Sequence, residues 1–408
     1  MKKFDIPSFY KGKIITNIKD TKRSGDPRKK DFSPTILNFG EVQFIIPRHF
    51  GFCYGVENAI EIAYRTVDEN PGKRIFLLSE MIHNPEVNED LRRKGVKFLM
   101  DTSGNHLFDW NGLKPDDVII IPAFGTTLEI EKELNEIGIN PYRYNTTCPF
   151  VEKVWNRSEQ LGQNDYTVII HGKYLHEETR ATFSHTNKRA PSVIVKNLEE
   201  AKVLGSIIKN EDEGKFSEIF KGKHSKNFNV KKDLQRIGVV NQTTMLATET
   251  QAISDLLKNI MIEKYGAENL KQHYADTKDT LCYATYDNQQ ATLEVLKENA
   301  DLAIVVGGYN SSNTGHIVEL VEGKFETYFI SSADKIVDRN NIQHFNIHSK
   351  KEIKSTKFIP NKENARIILT SGASCPDALV EKVMFKILTF FDNVKPIEKV
   401  LSEQLSMV

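Results

Sequence analysis

Three of the four cysteines in this 408-residue chain, Cys53, Cys148 and Cys282, each stand at the head of a similar stretch of sequence. A lone cysteine usually packs as a small hydrophobe, but recurrence at equivalent places points to a shared task. Three thiolates at one centre could hold zinc with a water in the fourth position, or a four-iron four-sulfur cluster with one iron free of cysteine. No CxxC spacing occurs, so such a metal would be held between domains rather than in a small knuckle. Cys375 falls elsewhere, in a loop after an apolar run, and reads as a packed thiol rather than a fourth ligand.

Short polar loops supply a second kind of chemistry. His83 with Asn84, His176, the run Asn310, Ser311, Ser312 and Asn313, and the run from Ser371 to Ser374 all follow apolar stretches, with neither a Walker lysine nor a GxGxxG turn. Such donors suit an anion like diphosphate, which accepts several charge-assisted hydrogen bonds worth about 1.5–3 kcal/mol each. One loop alone would say little, because Ser and Asn are common turn residues. Several loops converging on a metal make the stronger case. Glu178, two residues after His176, and Thr243 with Thr244 in the sequence NQTT add proton chemistry. A carboxylate can relay a proton and a hydroxyl can orient a leaving group.

Repeated elements must position these residues. Each of the three cysteines precedes apolar residues at helical spacing, such as Val56, Ala59, Ile60, Ala63, Tyr64 and Val67 after Cys53. Three apolar runs then follow in the same order each time. They are RIFLLSEMIHN, VKFLM and VIIIPAFGTT, then YTVIIHGKYLH, SVIVKN and RIGVVNQTT, then DLAIVVGGYNSSN, ETYFIS and RIILTSGAS. These read as buried parallel strands, whose ligands lie beyond the strands' carboxyl ends and at helix starts. The expected fold class is α/β, with three similar parallel-sheet α/β domains in a pseudo-threefold arrangement around one centre. Expected boundaries are a basic N-terminal arm at 1–38, domains at 39–142 (Cys53), 143–277 (Cys148) and 278–395 (Cys282), and a C-terminal tail at 396–408. A polar stretch at about 206–233 reads as a surface insertion in the middle domain.

Composition agrees with a multidomain globular protein, at 39% hydrophobic and 27% charged residues. No apolar stretch approaches the ~20 residues that span a bilayer, and no signal peptide is visible. Formal net charge is zero, so neither nucleic acid nor membrane is an expected partner. Four cysteines in so long a chain make no disulfide framework, which suits a reducing compartment. Lysine and arginine crowd the N-terminal stretch, ending in Arg28, Lys29 and Lys30. Asp5, Asp20, Asp26 and Asp31 speak against a transit peptide, so a solvated arm is expected, with docking of an acidic partner as a second use.

The segments GFCYGVENAI, the HN of MIHNPEV, TTCP, HGKYLHEET, NQTT, LCYATYDNQ, YNSSN and TSGASCPD occur in an order that resembles the 4-hydroxy-3-methylbut-2-enyl diphosphate reductase family. The likeness covers roughly residues 40–395, and the arm with KKDFSPT resembles the longer plant and cyanobacterial branch. The resemblance implies reductive dehydroxylation of that substrate to isopentenyl and dimethylallyl diphosphate, the last step of the non-mevalonate isoprenoid pathway. It implies a central iron-sulfur cluster of the 4Fe-4S type, held by Cys53, Cys148 and Cys282 with an open fourth iron. By the same resemblance, His83, His176, Thr243, Ser311, Ser312, Asn313 and Ser374 would bind substrate. Glu178 would relay protons, with Thr243 and His176 completing the catalytic set. A ferredoxin or flavodoxin donor is implied, in the cytoplasm or a plastid stroma.

One position departs from the common bacterial pattern, which reads Ala-His-Gly where this chain has Ala123, Phe124 and Gly125. Thr126 or Thr127 would then replace the lost contact. Two other classes stay open on the residues alone. A quinolinate-synthase-like dehydratase would also use an open cluster, but its dicarboxylate substrates favour arginine donors. A non-enzymatic protein could hold structural zinc or a redox-sensing cluster and would need no substrate loops.

Overall fold

The apolar runs of the repeat become strands that pair in the same way three times. Ile75–Leu77 lies between Lys97–Phe98 and Val118–Ile120, and Thr167–His171 between Ser192–Val195 and Ile237–Asn241. Leu302–Val306 lies between Thr327–Ile330 and Ala365–Ser371, and every one of these pairs is parallel. Each central strand is buried along its whole length, as an unbroken apolar run covered on both faces must be. The computed structural model describes residues 4–28, 30–276 and 280–405, so Lys29 of the basic cluster lies outside the described residues.

The chain divides into two compact units. One comprises Met1–Glu57, Ile82–Glu89 and Tyr283–Val408, and the other Asn58–Met81 and Asp90–Cys282. The first holds a five-stranded sheet in the order Thr35–Asn38, Val42–Ile46, Ala365–Ser371, Leu302–Val306, Thr327–Ile330. It also holds the antiparallel pair Asn341–Asn346 and Lys351–Thr356, while the second holds a three-stranded sheet and a four-stranded one, the latter extended by Tyr274–Ala275 beside Ile237–Asn241.

The boundary expected at residue 39 is not followed. Val42–Ile46 pairs in parallel with Ala365–Ser371, Phe44 opposite Ile367, and so joins the sheet of the third repeat. Phe44 and Ile46 enter one core with Ile304, Leu369 and Met384. A strand this apolar needs cover on both faces, and the open edge beside Ala365–Ser371 provides it.

The expected solvated arm is part of the same core. Lys13–Gly25 is a helix whose Ile14, Ile15 and Ile18 are buried with Phe44 and Val380. Gly12 at its N-cap offers no side chain, and the backbone N–H groups of Lys13, Ile14 and Ile15 donate instead to the Glu381 carboxylate at 3.1, 2.7 and 3.1 Å. These are the donors that a helix start leaves unsatisfied, and an anion is the acceptor its dipole favours. Glu381 sits on the helix Asp377–Leu388, which also supplies Asp377 to pair with Lys19.

The polar insertion is folded too. It forms the end of the helix Leu198–Asn210 and the helices Glu213–Ile219 and Val230–Asp233. Phe216 and Phe220 are buried in the core with Ile169 and Val239, and Phe228 stacks on Phe216 with ring centroids 4.9 Å apart. Its charged residues, with Ser217, Asn227 and Asn229, match the surface expectation. No helix among the described residues is long and apolar enough to cross a membrane.

Removing the carboxylate that caps the first helix should loosen this whole edge of the fold. Glu381→Ala is expected to lower unfolding free energy by about 3 kcal/mol, because three backbone donors lose a charged acceptor. Glu381→Gln, which keeps one acceptor oxygen, should lose less. Urea titration of both variants checks the order, and equal stability of Glu381→Ala and the parent would refute it.

Candidate functional site

The three repeated cysteines each precede a helix directly. Cys53 leads into Tyr54–Glu69, and its carbonyl accepts from Glu57 N at 2.9 Å. Cys148 is the N-cap of Pro149–Gln163, its carbonyl accepting from Val151 N at 2.8 Å and Glu152 N at 3.1 Å. Cys282 leads into Tyr283–Val295. Two of them hang from strand-end loops by their own N–H groups, Cys53 from the Ala373 carbonyl at 3.3 Å and Cys148 from that of Ala123 at 2.9 Å. A helix start favours an anionic neighbour, so all three places suit a thiolate. None of the four cysteines is in a disulfide.

Cys375 differs in each respect. It lies one residue before the cap position of Asp377–Leu388, is fully buried, and points its sulfur at the Pro376 carbonyl at 3.7 Å. Burial pushes its thiol well above the ordinary range. By the chemistry of its donors the set of helix-start thiols suits an iron-sulfur cluster, and Cys375 stands apart from that set. Cys53 belongs to one compact unit, and Cys148 and Cys282 to the other. Among the described residues, no group of three His, Cys, Asp or Glu side chains has the arrangement of a single-ion site.

In the first unit three polar loops interlock. Ser374 Oγ donates to the His83 carbonyl at 3.2 Å and lies 3.4 Å from Ser311 Oγ, while Ala373 N donates to Asn313 Oδ1 at 2.8 Å. Gly308 must be glycine here, since a Cβ would stand 2.3 Å from the His83 carbonyl oxygen. Ser311 caps the helix Ser312–Glu322, accepting from Thr314 N at 3.2 Å. Asn84 caps the helix Pro85–Arg93 through its Oδ1, which accepts from Glu86 N and Val87 N.

The other side of these residues carries the chemistry. Asn84 Nδ2, Ser312 Oγ and Asn313 Nδ2 are buried with no hydrogen-bond partner among the described residues. An unsatisfied buried donor costs about 1–3 kcal/mol, so the cluster is built for an acceptor that arrives from outside. With a helix start among them, that acceptor is an anion. His83, Ser311, Ser312, Asn313 and Ser374 are thus brought together as the sequence suggested. Asn84, named with His83 as a loop donor from the sequence, lies in the same unit.

In the second unit Glu178 and Thr243 meet. The buried carboxylate accepts from Thr243 N at 2.5 Å and from Thr243 Oγ1 at 2.9 Å. His176 is the N-cap of Glu177–Asn187, and its Nδ1 accepts from Glu178 N at 3.2 Å, which assigns the ring proton to Nε2. Gln242, missed by sequence reasoning, binds this hub together. Its Oε1 accepts from Lys173 N and Thr179 Oγ1 at 3.0 Å each, and its Nε2 donates to Thr244 Oγ1 at 2.6 Å. Glu177 is buried as well and accepts from Ser79 Oγ.

Phe124 packs edge-on against the His176 ring at 5.7 Å, so the departing residue shapes the surroundings of a site histidine. Of the two threonines expected to replace a lost contact, Thr127 spends its hydroxyl on capping the helix Leu128–Ile137. The Thr126 carbonyl lies 3.1 Å from His185 Nε2. Behind this loop Trp155 stacks on His185 at 3.8 Å, and its ring leaves no room for a Cβ at Gly125.

Fold and site together define a class: an α/β protein with thiols at helix starts and anion-binding loops at the ends of parallel strands. The chain belongs to the LytB protein family, whose pattern matches residues 44–388. It is 42% identical over 350 residues to the 4-hydroxy-3-methylbut-2-enyl diphosphate reductase of Thermosynechococcus vestitus, covering 85% of each chain. With the enzyme of that name from Picosynechococcus sp. it shares 38% identity over 394 residues, 96% of this chain and 92% of the other. A solved structure of the E-1-hydroxy-2-methyl-but-2-enyl-4-diphosphate reductase from Plasmodium falciparum has the same fold. Its TM-score is 0.61 at 21% identity, over 90% of this chain and 98% of that one.

The contrast among the thiols is open to direct measurement. In metal-free native protein, iodoacetamide should label Cys375 at least about 100-fold more slowly than Cys53 or Cys148. Peptide mass spectrometry gives each rate, and comparable rates would remove the distinction.

Proposed function

We propose that this chain reduces 4-hydroxy-3-methylbut-2-enyl diphosphate to isopentenyl and dimethylallyl diphosphate. The observation that carries the reading is the set of buried donors at Asn84, Ser312 and Asn313, without a partner among the described residues, on loops of the unit in which His83, Ser311 and Ser374 interlock. Those loops present hydroxyl, amide and imidazole groups without an arginine, which favours a diphosphate over a dicarboxylate. In balance, the allylic alcohol takes up two electrons and two protons, its C–O bond breaks, water leaves, and a C–H bond forms at one end or the other of the allyl system.

The residues divide this work. His83, Ser311, Ser312, Asn313 and Ser374 hold the diphosphate, with the N–H groups at the start of Ser312–Glu322 behind them. His176 contributes its Nε2 proton to the same substrate. Glu178 holds and moves a proton, and Thr243, bonded to both of its oxygens, orients it and presents its hydroxyl as a hydrogen-bonding partner to the substrate oxygen. Fixing the substrate before electrons arrive converts encounter into orientation. Cys53, Cys148 and Cys282 would hold a four-iron four-sulfur cluster, which when bound would supply electrons and a Lewis acid. With no GxGxxG turn in the chain, the reading assigns electron delivery to a ferredoxin or flavodoxin, in the cytoplasm or a plastid stroma.

Glu178→Gln should lower kcat at least about 100-fold while bound iron and sulfide stay at the parent level. Retained turnover would remove Glu178 from the mechanism. Ser312→Ala should instead raise KM about tenfold with a smaller effect on kcat, as expected for a contact made in ground and transition states alike. Spectra of the anaerobically reconstituted protein should shift on adding the diphosphate alcohol and not on adding a dicarboxylate. The reverse would favour a dehydratase.

A further inference from the structure

The loop that carries Cys53 runs from the strand Val42–Ile46 to the helix Tyr54–Glu69, and the preceding segment covers it residue by residue. Phe32 meets His49 edge-on at 5.4 Å, and Lys19 Nζ lies 4.2 Å from the centre of the Phe50 ring. Tyr10 meets Phe52 at 5.7 Å, and Phe4 meets Tyr54 at 4.8 Å, both edge-on. The acidic Asp26 and Asp31 act on the buried guanidinium of Arg48 at the head of the loop. At Gly51 a Cβ would stand 2.6 Å from Lys19 Nζ and 2.5 Å from Asp377 Oδ1, so helix and loop touch without space between them. All these residues lie in one compact unit.

We propose that residues 4–28 with Asp31 and Phe32 form a positioning strap for Cys53. The segment is anchored on one side by Ile14, Ile15 and Ile18 and by the Glu381 carboxylate. On the other side it presents a ring or a charge to His49, Phe50, Phe52 and Tyr54 in turn. Edge-on ring pairs and a cation over a ring are directional contacts, so they fix the loop's path as well as covering it. The strap therefore sets the place of the Cys53 sulfur before any ligand arrives. This role holds whatever Cys53 binds; its consequence for a cluster rests on the iron-sulfur reading above.

The test uses the full-length, metal-free protein and follows iodoacetamide labelling of each cysteine by mass spectrometry. In the double variant Phe4→Ala/Tyr10→Ala, and separately in Lys19→Met, Cys53 labelling should rise about tenfold while Cys148 and Cys375 keep their parent rates. Tyr10→Phe, which retains the ring, should restore the parent rate at Cys53. An unchanged Cys53 rate in both variants overturns the proposal. So does a parallel rise at Cys375, which would report general loosening. Anaerobic reconstitution with iron and sulfide then separates the two readings. Parent protein that takes up no iron defeats the cluster assignment and leaves the labelling result standing. Variants that lose iron faster than the parent support both.

Discussion

A parallel strand buried on both faces can offer polar chemistry only beyond its ends. Each of the three parallel sheets obeys that constraint, with central strands buried along their length and apolar but for Thr167 and His171 at the ends of one. The chain leaves each strand at its carboxyl end and enters a helix there, which puts loop donors and helix-start N–H groups in one place. Ser311, His176 and Asn84 are all caps in this sense, and His176 and Asn84 each spend one side-chain atom on the helix and keep a second polar atom. The cysteines stand at the same kind of junction, where the helix dipole favours a negative sulfur.

Capping and ligand binding compete for the same side chains, and the structure settles the competition atom by atom. Asn84 uses its carbonyl oxygen for the helix and keeps its amide nitrogen, and Asn313 gives its oxygen to Ala373 N in the same way. Leaving such donors unsatisfied costs about 1–3 kcal/mol apiece, which the interlocking of the His83, Ser311 and Ser374 loops must offset. The result is a rigid set of donors aimed outward. Glu178 shows the opposite arrangement, with Thr243 donors on both carboxylate oxygens, as suits a group that must hold its orientation while its proton comes and goes.

The N-terminal segment joins these features to the stability of the fold. Its Lys19 turns inward to Asp377, while Ile14, Ile15 and Ile18 share the core of the five-stranded sheet. One carboxylate, Glu381, serves three backbone donors of its helix, and Asp377 from the next turn back pairs with Lys19. Those bonds fasten the segment to the helix Asp377–Leu388 and bring its rings against the loop leading to Cys53.

Local information was enough for much of this. Strand order within each repeat, a helix after each repeated cysteine and the donor character of the loops follow from apolar runs, helical spacing and side-chain type, all carried by neighbouring residues. The exceptional place of Cys375 was legible for the same reason. Partners distant in the chain were not. Nothing near Val42 states that it will pair with Ala365, and the isoleucine stripe of the first helix is masked by lysines until the helix Asp377–Leu388 lies against it. Phe124 read as a lost contact until its ring was seen against His176. By itself, then, the sequence determined which groups are present and which local element bears each one. The tertiary structure alone decided which of them touch, because Thr243 reaches Glu178 and Ser374 reaches His83 only after separate segments have packed into a common core.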